Sequence, residues 1–173
     1  ATGGVGSLSI NMLKRLGYDI VAITGKETEH EYLKALGATE VLPRSVMDLT
    51  STRPLEKAQW AAALDSVGGA TLAWLTRTMQ QNGVIASFGN AGGVELNTTV
   101  LPFILRGVRL IGIDSAATAM SLRHEIWNRL ANEWRPQQLD KMTSTVDFEV
   151  LPEFFPKMLN GKSRGRTVVK ISG

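Results

Sequence analysis

The chain opens on a glycine-rich turn, ATGGVG, that could bind a phosphate. Gly3, Gly4 and Gly6 stand immediately before a segment whose apolar residues recur at helical spacing. Glycine lets backbone amides approach a ligand closely, and a helix N-terminus attracts anions, so this turn suits the pyrophosphate of a dinucleotide. Ala1 occupies the first position of the usual G-x-G-x-x-G pattern, and a glycine-rich loop without a ligand is the alternative interpretation. The helix and strand that follow the turn favour the dinucleotide.

The end of the next predicted strand indicates which dinucleotide would bind. NAD-preferring sites usually carry an acidic residue about 20 residues beyond the turn, whereas here the stretch is Thr24-Gly25-Lys26. Lys26 offers a positive charge, Thr24 a hydroxyl, and Gly25 room for a bulky group, which together suit the 2′-phosphate of NADP(H). Tyr32 and Arg44 could complete the pocket. The alternatives are a solvated Lys26, a Tyr32 that packs in the core and an Arg44 exposed on a loop.

Two further loops follow predicted strands, Phe88–Gly93 and Gly112–Ser115. Their glycines would let a flat nicotinamide ring lie against the backbone, although ordinary turns have the same composition.

Metal chemistry is not predicted from this sequence. The two histidines, His30 and His124, lie far apart on predicted helices, and there is no cysteine. The usual zinc ligand sets therefore cannot be assembled, and both histidines are expected at the surface. No Ser-His-Asp arrangement is evident either.

The elements that must position these loops alternate between helix and strand. Apolar spacing predicts helices near 5–16, 28–36, 72–79 and 122–134. Apolar and β-branched runs predict strands near 19–24, 40–42, 60–67, 83–88 and 108–113. This alternation is typical of a doubly wound, mostly parallel α/β sheet, whose strand ends converge on a ligand crevice. A strand that would normally precede the glycine turn is expected to be missing.

The last thirty residues follow a different pattern. We expect a strand at 143–150, a helix at 151–159 and a strand at 167–171. The helix is expected to turn five apolar side chains inward: Leu151, Phe154, Phe155, Met158 and Leu159.

Composition excludes several classes of protein. The net charge is +3, from 19 basic and 16 acidic residues that are scattered along the chain, so a nucleic-acid partner is not expected. No apolar run approaches the roughly 18 residues of a membrane helix. With no signal sequence and no cysteine, a cytoplasmic location is expected.

Several stretches together resemble a known family: ATGGVG, ITGKETEHEYLKALGA, VLPR, ALDSVGG, PFILRGVRLIGIDS and GRTVVKI. The chain resembles the acryloyl-CoA reductase branch of the quinone oxidoreductase group, within the medium-chain dehydrogenase/reductase superfamily. The resemblance implies a Rossmann domain that binds NADPH without zinc. It also implies cofactor contacts at Thr2–Val5 for the pyrophosphate and at Thr24, Gly25, Lys26 and Arg44 for the 2′-phosphate. On the nicotinamide side it implies Asn90, Ile104 and Ser115. Arginine is commoner in the family where Lys26 stands.

The resemblance also implies that two parts of the chain belong to different domains. Residues 1–146 would form the NADP-binding domain, and residues 147–173 would return to a GroES-like catalytic domain that this chain lacks. The intact enzyme would reduce the activated double bond of a short enoyl-CoA such as acryloyl-CoA, with quinone reduction as the alternative. Such proteins often form homodimers through the sheet edge, here Val108–Ile113. The isolated chain would be catalytically silent, so an NADPH-binding module without catalysis is a further alternative. The catalytic residues cannot be named from this chain.

Overall fold

A computed structural model describes residues 1–171. The chain divides into two compact units: unit 1 combines Ala1–Arg44 with the chain from Ser121 onward, and unit 2 comprises Ser45–Met120. The helices are α1 (Gly4–Arg15), α2 (His30–Leu36), α3 (Gly69–Thr78), α4 (Leu101–Arg106), α5 (Met120–Ala131), α6 (Leu139–Met142) and α7 (Phe154–Leu159). The strands are β1 (Val21–Thr24), β2 (Glu40–Pro43), β3 (Trp60–Asp65), β4 (Met79–Ser87), β5 (Arg109–Gly112), β6 (Thr143–Asp147) and β7 (Arg166–Lys170). Short 3₁₀ turns lie at Glu27–Glu29, Arg44–Val46 and Phe148–Glu153.

Unit 1 begins with a helix–strand–helix–strand alternation. Strands β1 and β2 pair in parallel, with Val21 opposite Glu40, and α2 connects them. Helix α2 ends at Gly37, whose φ of 116° is a left-handed conformation that glycine adopts without strain. The predicted helix end at Gly37 is therefore confirmed.

The core of unit 1 lies between these elements. Its buried side chains come from α1, α2, the β1 region and α6: Ile10, Ile20, Ala22, Leu33, Leu36, Ala38 and Met142. This packing fixes the start of α1 beside the end of β1, which is where the candidate phosphate site begins.

Unit 2 is built on a parallel sheet of order β3-β4-β5. Helix α3 is buried from Leu72 to Thr78, and the Trp74 ring packs against Trp60 with centroids 6.1 Å apart. Met79 and Ile85 of β4 are fully buried. An apolar helix surrounded in this way gains its stability from burial rather than from an amphipathic face.

All strand pairs in the described residues are parallel, including β6 with β7. Helices alternate with these strands along most of the chain. The predicted α/β fold with parallel, Rossmann-like strands is confirmed.

Three local predictions are wrong. Met79 was expected on a helix but begins β4, opposite Trp60 in the register. Trp134 was expected on the helix that contains Leu122, yet α5 ends at Ala131. The residues 151–159 form a 3₁₀ turn followed by α7, and no residue of either is buried.

The error at α7 has a physical reason. Leu159 is 86% exposed, Met158 59% and Phe155 49%, while Leu151 and Phe154 are partly buried. Apolar spacing shows which side chains share a helix face, but it does not show whether anything covers that face.

Candidate functional site

The glycine turn leads directly into α1. Gly3 is extended, with φ −76° and ψ 174°, and precedes the helix without a side-chain cap. A Cβ on Gly3 would meet nothing within 4 Å, whereas a Cβ on Gly6 would overlap the carbonyl oxygen of Ala1. The turn is thus open where a ligand would approach and closed on the protein side. This arrangement leaves the positive end of the α1 dipole accessible to an anion.

A chain of hydrogen bonds holds the glycine turn in place on its protein side. The buried Thr2 accepts, at its carbonyl oxygen, the N–H of Gly165 at 2.8 Å and the hydroxyl of Ser7 at 3.4 Å. The Tyr32 hydroxyl donates to Ser7 Oγ at 2.8 Å. The first turn of α1 is therefore linked both to α2 and to the C-terminal residues.

The residues predicted for the 2′-phosphate lie together at the end of β1. Thr24 is buried, and its hydroxyl oxygen accepts the Lys26 N–H at 3.1 Å. The Cδ of Arg44 lies 3.3 Å from the position that a Cβ on Gly25 would take. Glycine at position 25 therefore lets the Arg44 side chain cross close to the backbone. Lys26 Nζ donates to the carbonyl oxygen of Ser163.

Lys26 and Arg44, the two cations beside the end of β1, act electrostatically on the first residue of the glycine turn. Burial, followed by the nearby charges of Arg44 and Lys26, lowers the pKa of the Ala1 amino group to about 6. Of these causes only the two cations would favour a negatively charged group, because burial disfavours a charge of either sign.

Tyr32 lies beside the turn, with its ring against another cation. The Arg164 guanidinium lies 4.7 Å from the centroid of the Tyr32 ring and forms an ion pair with Glu29 at 3.2 Å. Tyr32 thus contacts α1 through its hydroxyl and the C-terminal loop through its ring. Whether it also binds a phosphate stays a prediction.

The three residues predicted on the nicotinamide side belong to unit 2. Asn90 is exposed in the loop after β4, where its carbonyl oxygen accepts the N–H of Gly93 at 3.0 Å. Ile104 on α4 is 68% exposed, and Ser115 is exposed in the loop after β5. Their predicted role in cofactor binding is not tested by these positions.

A second glycine-rich region, which we call the clasp, joins the ends of β3 and β4 and comprises residues 65–69 and 89–93. Asp65 is buried, and its carboxylate accepts the N–H groups of Val67 and Gly68 and the hydroxyl of Ser87, at 3.1 to 3.3 Å. Gly92 donates its N–H to the Val67 carbonyl oxygen at 2.7 Å. The clasp is thus closed by its own backbone.

Metal ligands do not come together in the part of the chain that the structure describes. Within residues 1–171, no group of three or more His, Cys, Asp or Glu lies close enough to hold an ion, and the sequence contains no cysteine. These residues do not fit a zinc site. His124 is exposed, whereas His30 is half-buried and its Nε2 is shielded from solvent. No helix in the same range is long and apolar enough to cross a membrane.

Sequence reasoning missed the loop Lys162–Arg166. Its backbone and side chains contact the glycine turn, Lys26 and Tyr32. A signal was present, because residues 160–173 carry four cations and no acidic residue: Lys162, Arg164, Arg166 and Lys170. The sequence alone did not show which part of the molecule these cations face.

The parallel α/β strands and the open glycine turn at the start of α1 define a domain of the Rossmann type. The sequence model of the zinc-binding dehydrogenase family matches residues 4–132. The chain belongs to this family.

Relatives agree with the resemblance seen in the sequence. The chain is 43% identical over 172 residues to a probable acrylyl-CoA reductase, AcuI, of Escherichia coli, and 42% identical to a putative quinone oxidoreductase, YhfP, of Bacillus subtilis. In each case the match covers 99% of this chain and 52% of the relative. The chain therefore spans about half the length of these relatives.

Solved structures give the same result. Escherichia coli YhdH with bound NADPH superposes with a TM-score of 0.92 at 43% identity, over 99% of this chain and 52% of that one. Bacillus subtilis YhfP with bound NAD gives 0.92 at 41% identity, over 97% and 51%. The predicted resemblance to the acryloyl-CoA reductase and quinone oxidoreductase group is confirmed.

Proposed function

We propose that this chain is the NADPH-binding part of an oxidoreductase. The observation that carries the proposal is the open N-terminus of α1, together with Lys26 and the Arg44 side chain at the end of the neighbouring strand β1. Thr2–Val5 would hold the pyrophosphate, and Thr24, Gly25, Lys26 and Arg44 would hold the 2′-phosphate, with Tyr32 supporting the turn. Asn90, Ile104 and Ser115 would line the nicotinamide side. The NADPH-bound structure of a relative supports this choice, while the NAD-bound structure of another makes the preference worth measuring.

The test of the cofactor is a pair of titrations on the complete protein to which these residues belong. Lys26→Ala should weaken NADPH about tenfold or more, because each charge-assisted bond to a phosphate contributes about 1.5–3 kcal/mol. NADH lacks the 2′-phosphate, so its affinity should not change. Lys34→Ala is the matched control, because Lys34 is an exposed cation that forms its ion pair with Glu31 on the same helix. Equal losses for both cofactors, or no loss for NADPH, would contradict the assignment.

We propose that the complete enzyme reduces the activated double bond of a short 2-enoyl-CoA such as acryloyl-CoA. The nicotinamide supplies the hydride when it is bound. The residues of this chain would bind the dinucleotide and orient it through contacts to its pyrophosphate and its 2′-phosphate. They would also shield the face of the dinucleotide that lies against the protein from water. The name of the Escherichia coli relative supports this substrate class.

Quinone reduction is the second candidate, and the name of the Bacillus subtilis relative favours it. Steady-state assays of the complete enzyme with acryloyl-CoA and with a simple quinone separate the two. A kcat/KM ten times higher for the quinone corresponds to about 1.4 kcal/mol in transition-state binding and would reverse the choice. Zinc addition should change neither activity.

We further propose that residues 147–173 belong to the catalytic domain of the complete protein. The exposed apolar side chains of Phe148, Phe155, Met158 and Leu159 support this, because a covering domain would bury them. The 173-residue chain alone should then show no turnover. Turnover by that chain would contradict the domain assignment, and it would exclude the alternative of a purely binding module.

A homodimer through β5 is the last part of the proposal. In the described residues β5 pairs with β4 on one edge only, and Ile111 and Ile113 are about half exposed. An open strand edge with apolar neighbours can pair with a second copy. Light scattering of the complete protein should give a dimer, and Ile111→Lys should shift it toward monomer.

A cytoplasmic location also remains a prediction.

A further inference from the structure

The loop Lys162–Arg166 is held by its backbone beside the proposed 2′-phosphate site. Gly165 forms a parallel bridge with Gly3, and the carbonyl oxygen of Ser163 accepts a hydrogen bond from Lys26 Nζ. A Cβ on Gly165 would overlap backbone, and its φ is +59°, so only glycine fits this path. One residue lies between these two contacts in the sequence, and its side chain therefore starts close to the turn that follows β1.

That residue, Arg164, makes two contacts with the residues at the start of α2. Its Nη1 donates to a carboxylate oxygen of Glu29 at 3.2 Å, and its guanidinium lies 4.7 Å from the centroid of the Tyr32 ring. The Glu29 side chain is only 19% exposed. Because solvent screens a partly buried charge less than a surface charge, the Glu29 carboxylate depends on Arg164 for its compensation.

Glu29 lies one short turn away from Lys26. Its backbone N–H donates to the Lys26 carbonyl oxygen at 3.1 Å, and side chains three residues apart on a helical turn are neighbours. An acidic side chain beside the ribose is the usual feature of sites that take NADH, where it binds the 2′-hydroxyl. An unpaired Glu29 carboxylate would repel a 2′-phosphate, and it would also compete with that phosphate for the Lys26 ammonium.

The two other acidic residues of this segment are placed differently. Glu27 is exposed, so its charge is screened by solvent. Glu31 is also exposed and pairs with Lys34 at 3.3 Å. Of these three acidic residues Glu29 is therefore the one whose charge acts most strongly on a ligand nearby.

We infer that the ion pair between Arg164 and Glu29 sets the preference for NADPH over NADH. It does so by neutralising a carboxylate beside the 2′-phosphate. The inference rests on the proposed cofactor site and adds to it a pair of residues that touch no part of the cofactor. Arg164 is thus a specificity-determining residue that acts through Glu29. NADH has no 2′-phosphate, so breaking the pair does not weaken its binding.

The experiment measures the dissociation constants of NADPH and NADH on the complete protein at low ionic strength. Arg164→Ala should weaken NADPH roughly threefold to tenfold, the size expected for repulsion between two partly screened charges, and should not weaken NADH. Adding Glu29→Gln to that variant should restore most of the NADPH affinity, because the carboxylate is then gone. Glu29→Gln alone should not weaken NADPH, and high salt should reduce the loss in Arg164→Ala.

Arg129→Ala is the matched control. Arg129 also pairs with a carboxylate, that of Glu125 at 2.8 Å, and also lies over an aromatic ring, that of Trp134 at 4.8 Å. Its removal deletes the same kinds of contact at a place where no cofactor residue is proposed, so neither constant should change. Circular dichroism and thermal unfolding of each variant establish that the fold is intact.

Three outcomes would overturn the inference. If the double variant binds NADPH as weakly as Arg164→Ala does, Arg164 contacts the phosphate directly. Equal losses for NADPH and NADH would mean that the loop supports the whole site, and unchanged NADPH binding would mean that the pair has no influence on it. The loss in Lys26→Ala still tests the proposed function in each of these cases. If the wild type binds neither dinucleotide, the proposed function itself fails and this inference fails with it.

Discussion

Two glycine-rich regions of this molecule, the turn before α1 and the clasp at the ends of β3 and β4, behave in opposite ways. The turn before α1 is open at Gly3, and the side chain nearest to Gly4 is a flexible arginine. The clasp of unit 2 is filled by backbone, because a Cβ on Gly68 would lie 2.5 Å from the Gly93 oxygen and one on Gly89 would lie 2.7 Å from the Ser66 oxygen.

The difference shows that glycine content alone does not identify a binding site. In both regions glycine permits a close approach, but in the clasp the approaching group is the protein's own backbone. In the turn that space remains for a ligand. The surroundings differ accordingly, with cations around the turn and the buried carboxylate of Asp65 inside the clasp.

The largest effect is expected for Gly68→Ala. Gly68 has φ +69° and faces the Gly93 carbonyl oxygen, so the new side chain is strained and also clashes with backbone. We expect the free energy of unfolding to fall by about 3 kcal/mol, measured by urea denaturation. A loss below about 1 kcal/mol would mean that the clasp opens easily, and the contrast with the turn would weaken.

Asp65→Ala should have the next largest effect. It removes an acceptor from the part-buried N–H of Val67, the buried N–H of Gly68 and one hydroxyl, which should cost about 2–3 kcal/mol in unfolding free energy. Amide exchange should accelerate in residues 66–69 and 89–93, whereas exchange at the start of α1 should not change. Asp65→Asn, which keeps one oxygen acceptor, serves as the milder control.

Tyr32→Phe tests the support beneath the turn. It deletes the 2.8 Å hydrogen bond to Ser7 and retains the ring that faces Arg164. The expected loss is about 1 kcal/mol in unfolding free energy, with Ser7→Ala giving a similar loss and the double variant little more. Additive losses would show that the two side chains act independently.

Gly3→Ala should have the smallest effect on stability. Its methyl group meets nothing within 4 Å and the backbone is not left-handed, so only about 0.5 kcal/mol of helix capping is at stake. Affinity for NADPH should nevertheless fall, because the methyl group occupies the side of the turn that is open. A destabilisation like that of Gly68→Ala would erase the distinction between the two regions.

Much of unit 1 was predictable because its signals are local. Gly37 ends α2 as expected, and Thr24 is the last residue of β1, with Gly25 and Lys26 directly after it. Neighbours in the sequence at the end of one strand are necessarily neighbours in space. The sequence therefore predicts that Thr24, Gly25 and Lys26 lie together. It does not predict that the Arg44 side chain crosses Gly25.

The parts that could not be predicted depend on distant contacts. Nothing near Arg166 in the sequence indicates that it lies against Gly4, and nothing in the spacing of Phe155 and Leu159 indicates that their face is uncovered. Met79 has the hydrophobicity of the helix before it, yet its pairing with Trp60 places it in β4.

The bridge between Gly3 and Gly165 has a consequence for the order in which the protein is made. The glycine turn is among the first of these 173 residues to leave the ribosome, and its partner is among the last. Contacts between residues this far apart close a long loop and form slowly. A nascent chain could therefore pack α1 and α2 against β1 early, but it would complete the second side of the turn only after residue 165 has been made. NADPH supplied during translation should protect chains that extend beyond residue 165 from protease while leaving chains that end before residue 165 unprotected.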